Sequence, residues 1–264
     1  TGFDFKLAFV SALAQPLSKP FLEHAGVLAF AHRGDHQSGP ENTLAAFAGA
    51  VSKGFRYLET DTHCTRDGIL LAFHDHRLDR VTDATGVISE LDYADFQAAK
   101  VQGLEPIPLL EDLIAEFPDT CFNIDLKADS SVQPFLTLIR RLNCHDRICV
   151  GSFSHERVLA VRAAFPNLCT SLTPKEVLWA RLRSFYIPTF KIKGDCAQVP
   201  ERWGTIPLLD PRFLNTLRKL GIQTHVWTIN EVDDMTRLAN LGVDGIMTDD
   251  ASALKQVLQA LGRW

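Results

Sequence analysis

Two strand-like segments of the chain carry acidic side chains at a spacing that suits a bound cation. Glu59 and Asp61 lie in one apolar run, and Asp125 and Lys127 lie in another. Because side chains alternate across a strand, Glu59 and Asp61 share one face, roughly 7 Å apart. Like charges at that spacing repel each other unless a cation lies between them. An ion held by Glu59, Asp61 and Asp125 has an all-oxygen shell, which suits Mg²⁺ or Ca²⁺. The alternative is a set of solvated charges at strand ends.

Two histidines follow apolar runs and suit proton transfer. His32 ends one such run and exchanges a proton near neutral pH, and Arg33 beside it offers a planar fork for a phosphate. His74 follows the run Ile69–Phe73 and is the second candidate. Cleavage of a phosphodiester needs one group that deprotonates the nucleophile and another that protonates the leaving alkoxide. The alternatives are a structural histidine at position 32 and a zinc ligand pair formed by His74 and His76.

Three further residues are candidates for supporting roles. The segment Pro40–Thr43 predicts the start of a helix, because Pro and Glu are ordinary residues of a first helical turn. Glu41 and Asn42 can support the site indirectly, through contacts with the residues that line it. Trp227 is expected to face inward near a strand end, where it forms an apolar wall for the substrate. The alternative for Trp227 is a place in the core.

Eight strand-like runs alternate with helical patterns, and together they must position these residues. The predicted strands are Val27–His32, Tyr57–Thr62, Cys121–Lys127, Ile148–Gly151, Leu168–Leu172, Cys196–Val199, Gln223–Ile229 and Gly245–Thr248. The predicted helices are Glu41–Ser52, Leu109–Phe117, Val132–Leu142, His155–Phe165, Lys175–Leu182, Pro211–Leu220, Val232–Leu241 and Ala251–Leu261. This alternation predicts an α/β fold, a (β/α)₈ TIM barrel, whose catalytic rim lies at the carboxyl ends of the strands. A doubly wound open sheet is the alternative.

The chain is predicted to form a single barrel domain over residues 1–264, with two additions. Residues 63–108 form an elaborated loop after the second strand, with a hairpin-like stretch at Ile69–His74 and a short helix at Tyr93–Lys100. Residues 1–26 are expected to cap the bottom of the barrel through Leu17, Phe21 and Leu22.

Composition excludes several other classes of protein. The chain has 264 residues, a net charge of −5 and 46% hydrophobic residues, which is ordinary globular usage. The acidic balance argues against nucleic acid as a partner, and no apolar run has the length of an integral membrane segment. Six cysteines without a C-x-x-C motif favour reduced thiols and a cytoplasmic location. The alternative is export, since residues 12–15 resemble a signal-cleavage site and Thr1 is not an initiator Met.

The ordered motifs of the chain resemble those of the glycerophosphodiester phosphodiesterase family, from about residue 28 to residue 258. The motifs are His32-Arg33-Gly34, Pro40-Glu41-Asn42-Thr43, Glu59-Thr60-Asp61, Thr65-Arg66-Asp67-Gly68, His74-Asp75, Leu78-Asp79-Arg80, Asp125-Leu126-Lys127, Gly151-Ser152-Phe153, Val226-Trp227-Thr228-Ile229-Asn230, Gly242-Val243-Asp244-Gly245 and Thr248-Asp249. Each motif alone is weak evidence for the family, but their combination in this order is specific to it.

The resemblance implies metal-dependent hydrolysis of a small-molecule glycerophosphodiester to glycerol 3-phosphate and an alcohol, on a (β/α)₈ barrel. It implies an acid/base pair and three ligands of a divalent metal, Mg²⁺ or Ca²⁺, in addition to residues that bind the phosphate and the substrate. The acid/base pair is His32 and His74, the metal ligands are Glu59, Asp61 and Asp125, and the phosphate and substrate are bound by Arg33, Lys127 and Trp227. The family commonly has Glu where this chain has Asp125. We also expect a cyclic phosphate intermediate, with direct attack by water as the alternative.

Three other functions remain as alternatives. The first is cleavage of lysolipids in the manner of sphingomyelinase D or lysophospholipase D enzymes. The second is a zinc amidohydrolase that uses His74 and His76, and the third is a non-catalytic barrel that binds phosphate compounds. The sequence does not determine the oligomeric state.

Overall fold

A computed structural model describes residues 19–264 of the chain. Its centre is formed by eight parallel strands, and all eight correspond to predicted ones. They are β1 (Leu28–His32), β2 (Tyr57–Cys64), β3 (Cys121–Leu126), β4 (Ile148–Gly151), β5 (Cys169–Thr170), β6 (Cys196–Val199), β7 (Gln223–Val226) and β8 (Gly245–Thr248). The helices are α1 (Leu44–Ser52), α2 (Leu110–Glu116), α3 (Val132–Leu142), α4 (His155–Ala164), α5 (Pro174–Ser184), α6 (Pro211–Lys219), α7 (Val232–Leu241) and α8 (Ala251–Ala260).

The strands follow one another around a nearly closed barrel. Parallel pairing runs from β5 back through β4, β3, β2 and β1 to β8, β7 and β6. Between β5 and β6 the closure rests on a parallel bridge of Ser171 with Cys196, where the Leu172 N–H donates to the Cys196 carbonyl at 2.7 Å. A closed sheet leaves no long exposed edge. The predicted TIM barrel is therefore confirmed.

The register of the first three strands places the candidate residues at two successive inward positions of the barrel. His32 pairs with Glu59 across β1 and β2, and Asp61 pairs with Asp125 across β2 and β3. Because the strands are parallel, all four residues lie toward the carboxyl ends, where the loops to the helices begin.

Side-chain caps fix where several helices begin above this rim. Thr43, Ser154, Thr173, Asp210 and Asp250 each accept a hydrogen bond from a backbone N–H three residues further along. Such caps satisfy a donor that the first turn of a helix leaves unpaired. They anchor the loops that surround the carboxyl-terminal end of the barrel.

The predicted start of the first helix is wrong by three residues. Helix α1 begins at Leu44 after the cap Thr43, so Glu41 and Asn42 lie in the preceding loop. Asn42 has a φ of 57°, a left-handed conformation that cannot continue a helix. Its N–H donates to the carbonyl of Arg33 at 2.9 Å. This loop is thus folded back onto the residue that follows His32.

The segment after β2 packs on the barrel around an apolar cluster of its own. A short strand, Leu70–Ala72, pairs antiparallel with the end of β2, and Lys100–Val101 pairs with Glu105–Pro106. The buried members of the cluster are Leu71, Phe73, Leu78, Ile88, Phe96, Ala99, Val101 and Ile107. This packing fixes the loop that carries His74.

The predicted helix at Tyr93–Lys100 is reduced to a 3₁₀ turn over Tyr93–Asp95. Asp92 and Asp95 close this turn through a reciprocal capping box. Phe96 then leaves the helical region with a φ of −141° and is buried in the loop's apolar cluster. Burial of this ring outweighs the local helical preference of the segment.

The amino-terminal end of the barrel contains a buried aromatic side chain from the segment before β1. Phe21, in the 3₁₀ turn Pro20–Leu22, is fully buried, and its ring lies edge-on to Tyr57 with centroids 5.3 Å apart. Since Tyr57 begins β2, Phe21 fills the end opposite the carboxyl ends of the strands. Leu17, the other residue expected here, lies outside the described residues.

All six cysteines are free thiols in this structure. Within residues 19–264, no helix combines the length and the apolar character needed to cross a membrane.

Candidate active site

A pocket of about 480 Å³ opens at the carboxyl ends of the strands. Eight of the residues that the sequence indicates line it, namely His32, Arg33, Glu59, Asp61, His74, Asp125, Lys127 and Trp227. Glu41 and Asn42 do not line the pocket and contact Arg33 from behind.

The three carboxylates of the pocket are removed from solvent to different degrees. Glu59 and Asp61 are 5% and 2% exposed, and the side chain of Asp125 is 15% exposed. Burial, together with the negative charge of Asp61, raises the pKa of Glu59. Burial also raises the pKa of Asp125 despite the neighbouring Lys127. For Asp61 burial acts in the same direction, but Lys127 and Arg33 outweigh it and lower its pKa.

Lys127 partly neutralises this acidic group. Its Nζ lies 2.8 Å from Oδ1 of Asp61 and 2.7 Å from Oδ2 of Asp125. Burial by itself lowers the pKa of an ammonium group, but the two carboxylates outweigh that effect and raise the pKa of Lys127. The donor atoms of Glu59, Asp61 and Asp125 do not all lie within 4.8 Å of one another. The ammonium group of Lys127 thus links Asp61 and Asp125.

The remaining oxygen atoms of this group fit a hard cation. Oδ2 of Asp61 and Oδ1 of Asp125 are buried and accept no hydrogen bond, although the Nε of Arg33 lies 3.1 Å from Oδ2 of Asp61. Buried carboxylate oxygens without a partner are costly. Together with Glu59 they form an oxygen donor set of the kind that Mg²⁺ and Ca²⁺ prefer. The donor chemistry of the site therefore matches a divalent hard cation.

Arg33 joins the acidic group to the loop before α1. Its backbone is left-handed, with a φ of 56°, and its N–H donates to Oε2 of Glu59 at 3.2 Å. The guanidinium Nη1 donates to Oε1 of Glu41 at 3.2 Å. Asn42 accepts a hydrogen bond from the Thr60 hydroxyl at 2.8 Å and so ties the same loop to β2. Glu41 and Asn42 together hold Arg33 against the carboxylates.

His32 lies between two carboxylates. Its Nδ1 is 2.6 Å from Oδ1 of Asp249, and its Nε2 is 3.8 Å from Oε2 of Glu59. Burial by itself lowers the pKa of His32, but Glu59 and Asp249 outweigh it, so the pKa lies above its usual value. Asn230 donates to the other oxygen of Asp249 at 2.9 Å and holds that carboxylate in place. The imidazole is thus oriented with Nε2 toward the pocket.

His74 has a carboxylate partner of its own. Its Nδ1 lies 2.6 Å from Oδ1 of Asp75. Arg80 holds Asp75 through a short ion pair and also binds Oε1 of Glu41 at 2.7 Å. Glu41 therefore joins the His74 side of the pocket to Arg33 on the other side.

Apolar side chains form the rest of the pocket lining. The Trp227 ring lies edge-on to Phe153, with centroids 6.2 Å apart. Trp203 and Phe153 are 57% and 67% exposed, so both stand at the mouth. The wall below them consists of Leu172, Pro174, Val177, Val199, Pro200 and Leu208. The pocket thus has a charged half and an apolar half.

The functional prediction from sequence did not assign roles to several residues of this network. Asp75, Arg80, Asn230 and Asp249 belong to the motifs quoted above, but nothing local indicates that Asp249 meets His32. Asn123 and Gln198 also line the pocket, and their side chains are joined by a hydrogen bond of 2.7 Å. The position of Asn123, two residues before Asp125 on β3, was a usable signal, because residues at that spacing share one face of a strand.

The proposed zinc pair does not form one site in this structure. His74 lines the pocket, whereas His76 is exposed and lies outside the residues that line it. The carboxylates of Glu59, Asp61 and Asp125 line the same pocket as His74.

Comparisons with known proteins place this site in context. A sequence model described as the glycerophosphoryl diester phosphodiesterase family matches residues 32–253. The chain is 38% identical over 251 residues to "Probable glycerophosphodiester phosphodiesterase 2" of Mycobacterium tuberculosis, covering 92% of this chain and 95% of that protein. It is 28% identical over 268 residues to human "Lysophospholipase D GDPD1", covering 86% of this chain and 84% of the relative.

A solved structure shows the same fold. The glycerophosphodiester phosphodiesterase from Agrobacterium tumefaciens superposes with a TM-score of 0.72 at 22% sequence identity, covering 87% of this chain and 99% of that chain.

Proposed function

The chain belongs to the glycerophosphoryl diester phosphodiesterase family and is an enzyme of that class, and we propose that it hydrolyses glycerophosphodiesters to glycerol 3-phosphate and an alcohol by two-histidine catalysis with a divalent metal ion. The substrate is a small molecule. The predicted cytoplasmic location stays a prediction.

One observation carries this proposal. His32 and His74 line the same pocket as three carboxylates and two cationic side chains, and each histidine is held through Nδ1 by a carboxylate at 2.6 Å. A phosphodiester needs its negative charge neutralised and two protons moved, one from the nucleophile and one to the leaving oxygen. The pocket has a group for each of these tasks.

The chain's own residues bind and orient the phosphate. Arg33 offers a planar guanidinium, and Lys127 offers an ammonium group beside Asp61 and Asp125. Glu41 keeps Arg33 in place through its carboxylate, and Arg80 keeps Glu41 in place. The two cations stabilise negative charge that gathers on the phosphoryl oxygens as the bond to the leaving alcohol breaks.

Glu59, Asp61 and Asp125 would hold the divalent metal ion. When bound, a hard cation of this kind neutralises phosphate oxygens and lowers the pKa of a coordinated hydroxyl group. The identity of the ion, Mg²⁺ or Ca²⁺, belongs to the proposal. Asp125 is one methylene shorter than the Glu common in the family, so the carboxylate lies closer to β3.

The nucleophile that we propose is the glycerol 2-hydroxyl of the substrate. Its attack on the adjacent phosphorus is intramolecular, and a well-oriented neighbour can lower the barrier by several kcal/mol. One histidine takes the hydroxyl proton, and the other gives a proton to the departing alcohol oxygen. The product of this step is a cyclic 1,2-phosphate, which water then opens to glycerol 3-phosphate. Direct attack by water is the competing route.

The apolar half of the pocket favours a second candidate. Trp203, Leu172 and Leu208 are among its lining residues. An acyl chain fits such a wall better than a polar alcohol does. The corresponding activity is cleavage of lysophospholipids to a lysophosphatidic acid and the free alcohol, as the name of the human relative indicates for that protein.

Purified, chelator-washed protein tests both candidates. It should release glycerol 3-phosphate from glycerophosphocholine or glycerophosphoethanolamine when Mg²⁺ or Ca²⁺ is added. The His32→Ala/His74→Ala double variant is the control for contaminating activity. Release of choline from lysophosphatidylcholine alone would favour the second candidate. Absence of turnover on both substrate classes in either metal would contradict the proposed function.

A further inference from the structure

Three cysteines on neighbouring strands point into the barrel below the active-site pocket. Cys149 lies on β4, Cys169 on β5 and Cys196 on β6, and all three are at most 2% exposed. Their Sγ atoms all lie within 4.8 Å of one another. The Sγ atoms of Cys149 and Cys196 are 3.7 Å apart, although β5 lies between their strands. We call this group the cysteine trio.

Strand register brings the trio together. Cys149 is the Cα partner of Cys169, and Cys196 bridges to Ser171, two residues above Cys169. The stagger of the barrel moves each strand relative to its neighbour, so that side chains from successive strands meet in one inward layer. The three thiols are therefore fixed by the sheet itself and not by a loop.

The trio lies directly under the floor of the pocket. Asn123 is the Cα partner of Cys149, and Gln198 is the next inward residue after Cys196. Both amides line the pocket and are bonded to each other. Gly151, Ser171 and Gln198, each two residues after one of the three cysteines, all line the pocket, so the thiols lie one inward layer below it.

The spacing of the sulfurs matches shared coordination of one ion. Three sulfurs about 2.3 Å from a central metal, the usual zinc–thiolate length, lie about 4.0 Å apart when the arrangement is trigonal. The separation of 3.7 Å between Cys149 and Cys196 is close to this value. It is far longer than a disulfide, which requires about 2.05 Å.

We propose that Cys149, Cys169 and Cys196 form a binding site for a soft, thiophilic metal ion, with Cu(I) as the ion that fits best. Thiolates select Cu(I) and Zn²⁺ over hard cations. Structural Zn²⁺ sites are almost always four-coordinate, and within the described residues no further His, Cys, Asp or Glu donor lies within 4.8 Å of all three sulfurs. Each thiol that ligates the ion gives up its proton to solvent, and copper keeps its oxidation state.

A buried imidazole adjoins the proposed site. His225, on β7, is fully buried and interacts electrostatically with Cys196. A monovalent ion offsets the charge of one thiolate. This arrangement reduces the cost of placing thiolates in the core.

Titration with Cu(I) tests the site independently of the enzyme's activity. Reduced, chelator-washed full-length protein is titrated anaerobically against a chromophoric Cu(I) chelator. We expect one Cu(I) per chain to be retained. Cys149→Ala, Cys169→Ala and Cys196→Ala should each weaken retention at least tenfold. Cys144→Ala is the matched control, because it removes another buried thiol outside the trio, and should retain copper as the wild type does.

Equal retention by the wild type and a triple variant would overturn the proposal, as would loss of copper in Cys144→Ala alone. If the trio variants do not fold, X-ray absorption of the copper-loaded wild type decides instead. A shell of three sulfur neighbours supports the proposal, and a shell of oxygen or nitrogen neighbours contradicts it. Failure of wild-type protein to retain any copper shows that the trio is only a packed group of thiols.

Discussion

The imidazole Nδ1 of His32 lies 2.6 Å from Oδ1 of Asp249, a residue 217 positions further along the chain. This contact spans the pairing of β1 with β8, where the last strand of the barrel returns to the first. It fixes the ring so that Nε2 faces Glu59 and the pocket. A carboxylate in this place acts on the proton affinity of the imidazole as well as on its orientation.

Asp249→Asn should therefore change both the rate and the pH dependence. Removing this negative charge lowers the pKa of His32, which Asp249 and Glu59 now hold above its usual value. We expect kcat to fall by roughly 10- to 100-fold, the usual effect of losing a partner that orients a reacting group. The limb of the pH–rate profile that belongs to His32 should move to lower pH. Asp234→Asn, at a half-buried position of α7 that does not line the pocket, is the control. An unshifted profile would contradict this role.

The two pocket histidines should be more sensitive than their neighbour. His32→Ala and His74→Ala should each reduce kcat by roughly 10²-fold or more, the usual worth of a positioned acid or base. His76→Ala should have a much smaller effect, because His76 is exposed and does not line the pocket. Steady-state kinetics measures kcat for the three variants, and circular dichroism checks that each of them folds. Equal losses of kcat for His74→Ala and His76→Ala would support the alternative in which these two histidines bind zinc.

Metal dependence should reside in the three carboxylates. Chelator should abolish phosphodiesterase activity, and Mg²⁺ or Ca²⁺ should restore it. Asp125→Asn should raise the metal concentration needed for half-maximal activity at least tenfold, since an amide is a weaker ligand than a carboxylate. Asp125→Glu keeps the charge and should retain most of the activity. Full activity of the chelator-washed protein would refute this prediction, and rescue by Zn²⁺ alone would favour the amidohydrolase alternative.

A substrate analogue separates the two nucleophiles. A glycerophosphodiester that lacks the glycerol 2-hydroxyl should bind comparably but turn over very slowly, because the attacking group is missing. Phosphorus NMR should show a cyclic phosphate with the natural substrate and none with the analogue. Near-normal hydrolysis of the analogue would establish water as the nucleophile.

The buried pair of Glu176 with Arg162 should make stability depend on pH. Glu176 is 1% exposed and accepts two hydrogen bonds from Arg162, at 2.8 and 3.0 Å. Burial acts to raise its pKa, but Arg162 and the backbone donors outweigh burial and lower it below the value of the unfolded chain. The resulting stabilisation is present above the unfolded pKa and is lost as the pH falls through the folded one.

Glu176→Gln should thus cost on the order of 3 kcal/mol at pH 7, as expected when one partner of a buried pair is removed. The difference from the wild type should narrow at pH values below the pKa of the folded state. Urea unfolding of both proteins, at pH 7 and at a pH below the pKa of folded Glu176, measures this difference in the free energy of unfolding. Glu156→Gln, at the exposed start of α4, is the control. A difference that is the same at both pH values would show that Glu176 acts through packing alone.

The sequence by itself determined the barrel and the end of it that carries the chemistry. Hydrophobic alternation is a local property, so it located the strands, and it placed Glu59, Asp61 and Asp125 on inward faces near strand ends. In a barrel of parallel strands all such ends meet at one rim, which is why these residues fall in one pocket.

Only the tertiary structure decided which side chains touch. The pairing of His32 with Asp249, the position of Lys127 between Asp61 and Asp125, and the convergence of the cysteine trio all join residues of different strands. Such contacts depend on sheet register and on closure of the barrel, which local periodicity does not encode. The loop before α1 shows the same limit, since Glu41 was expected in a helix and instead joins Arg33 to Arg80.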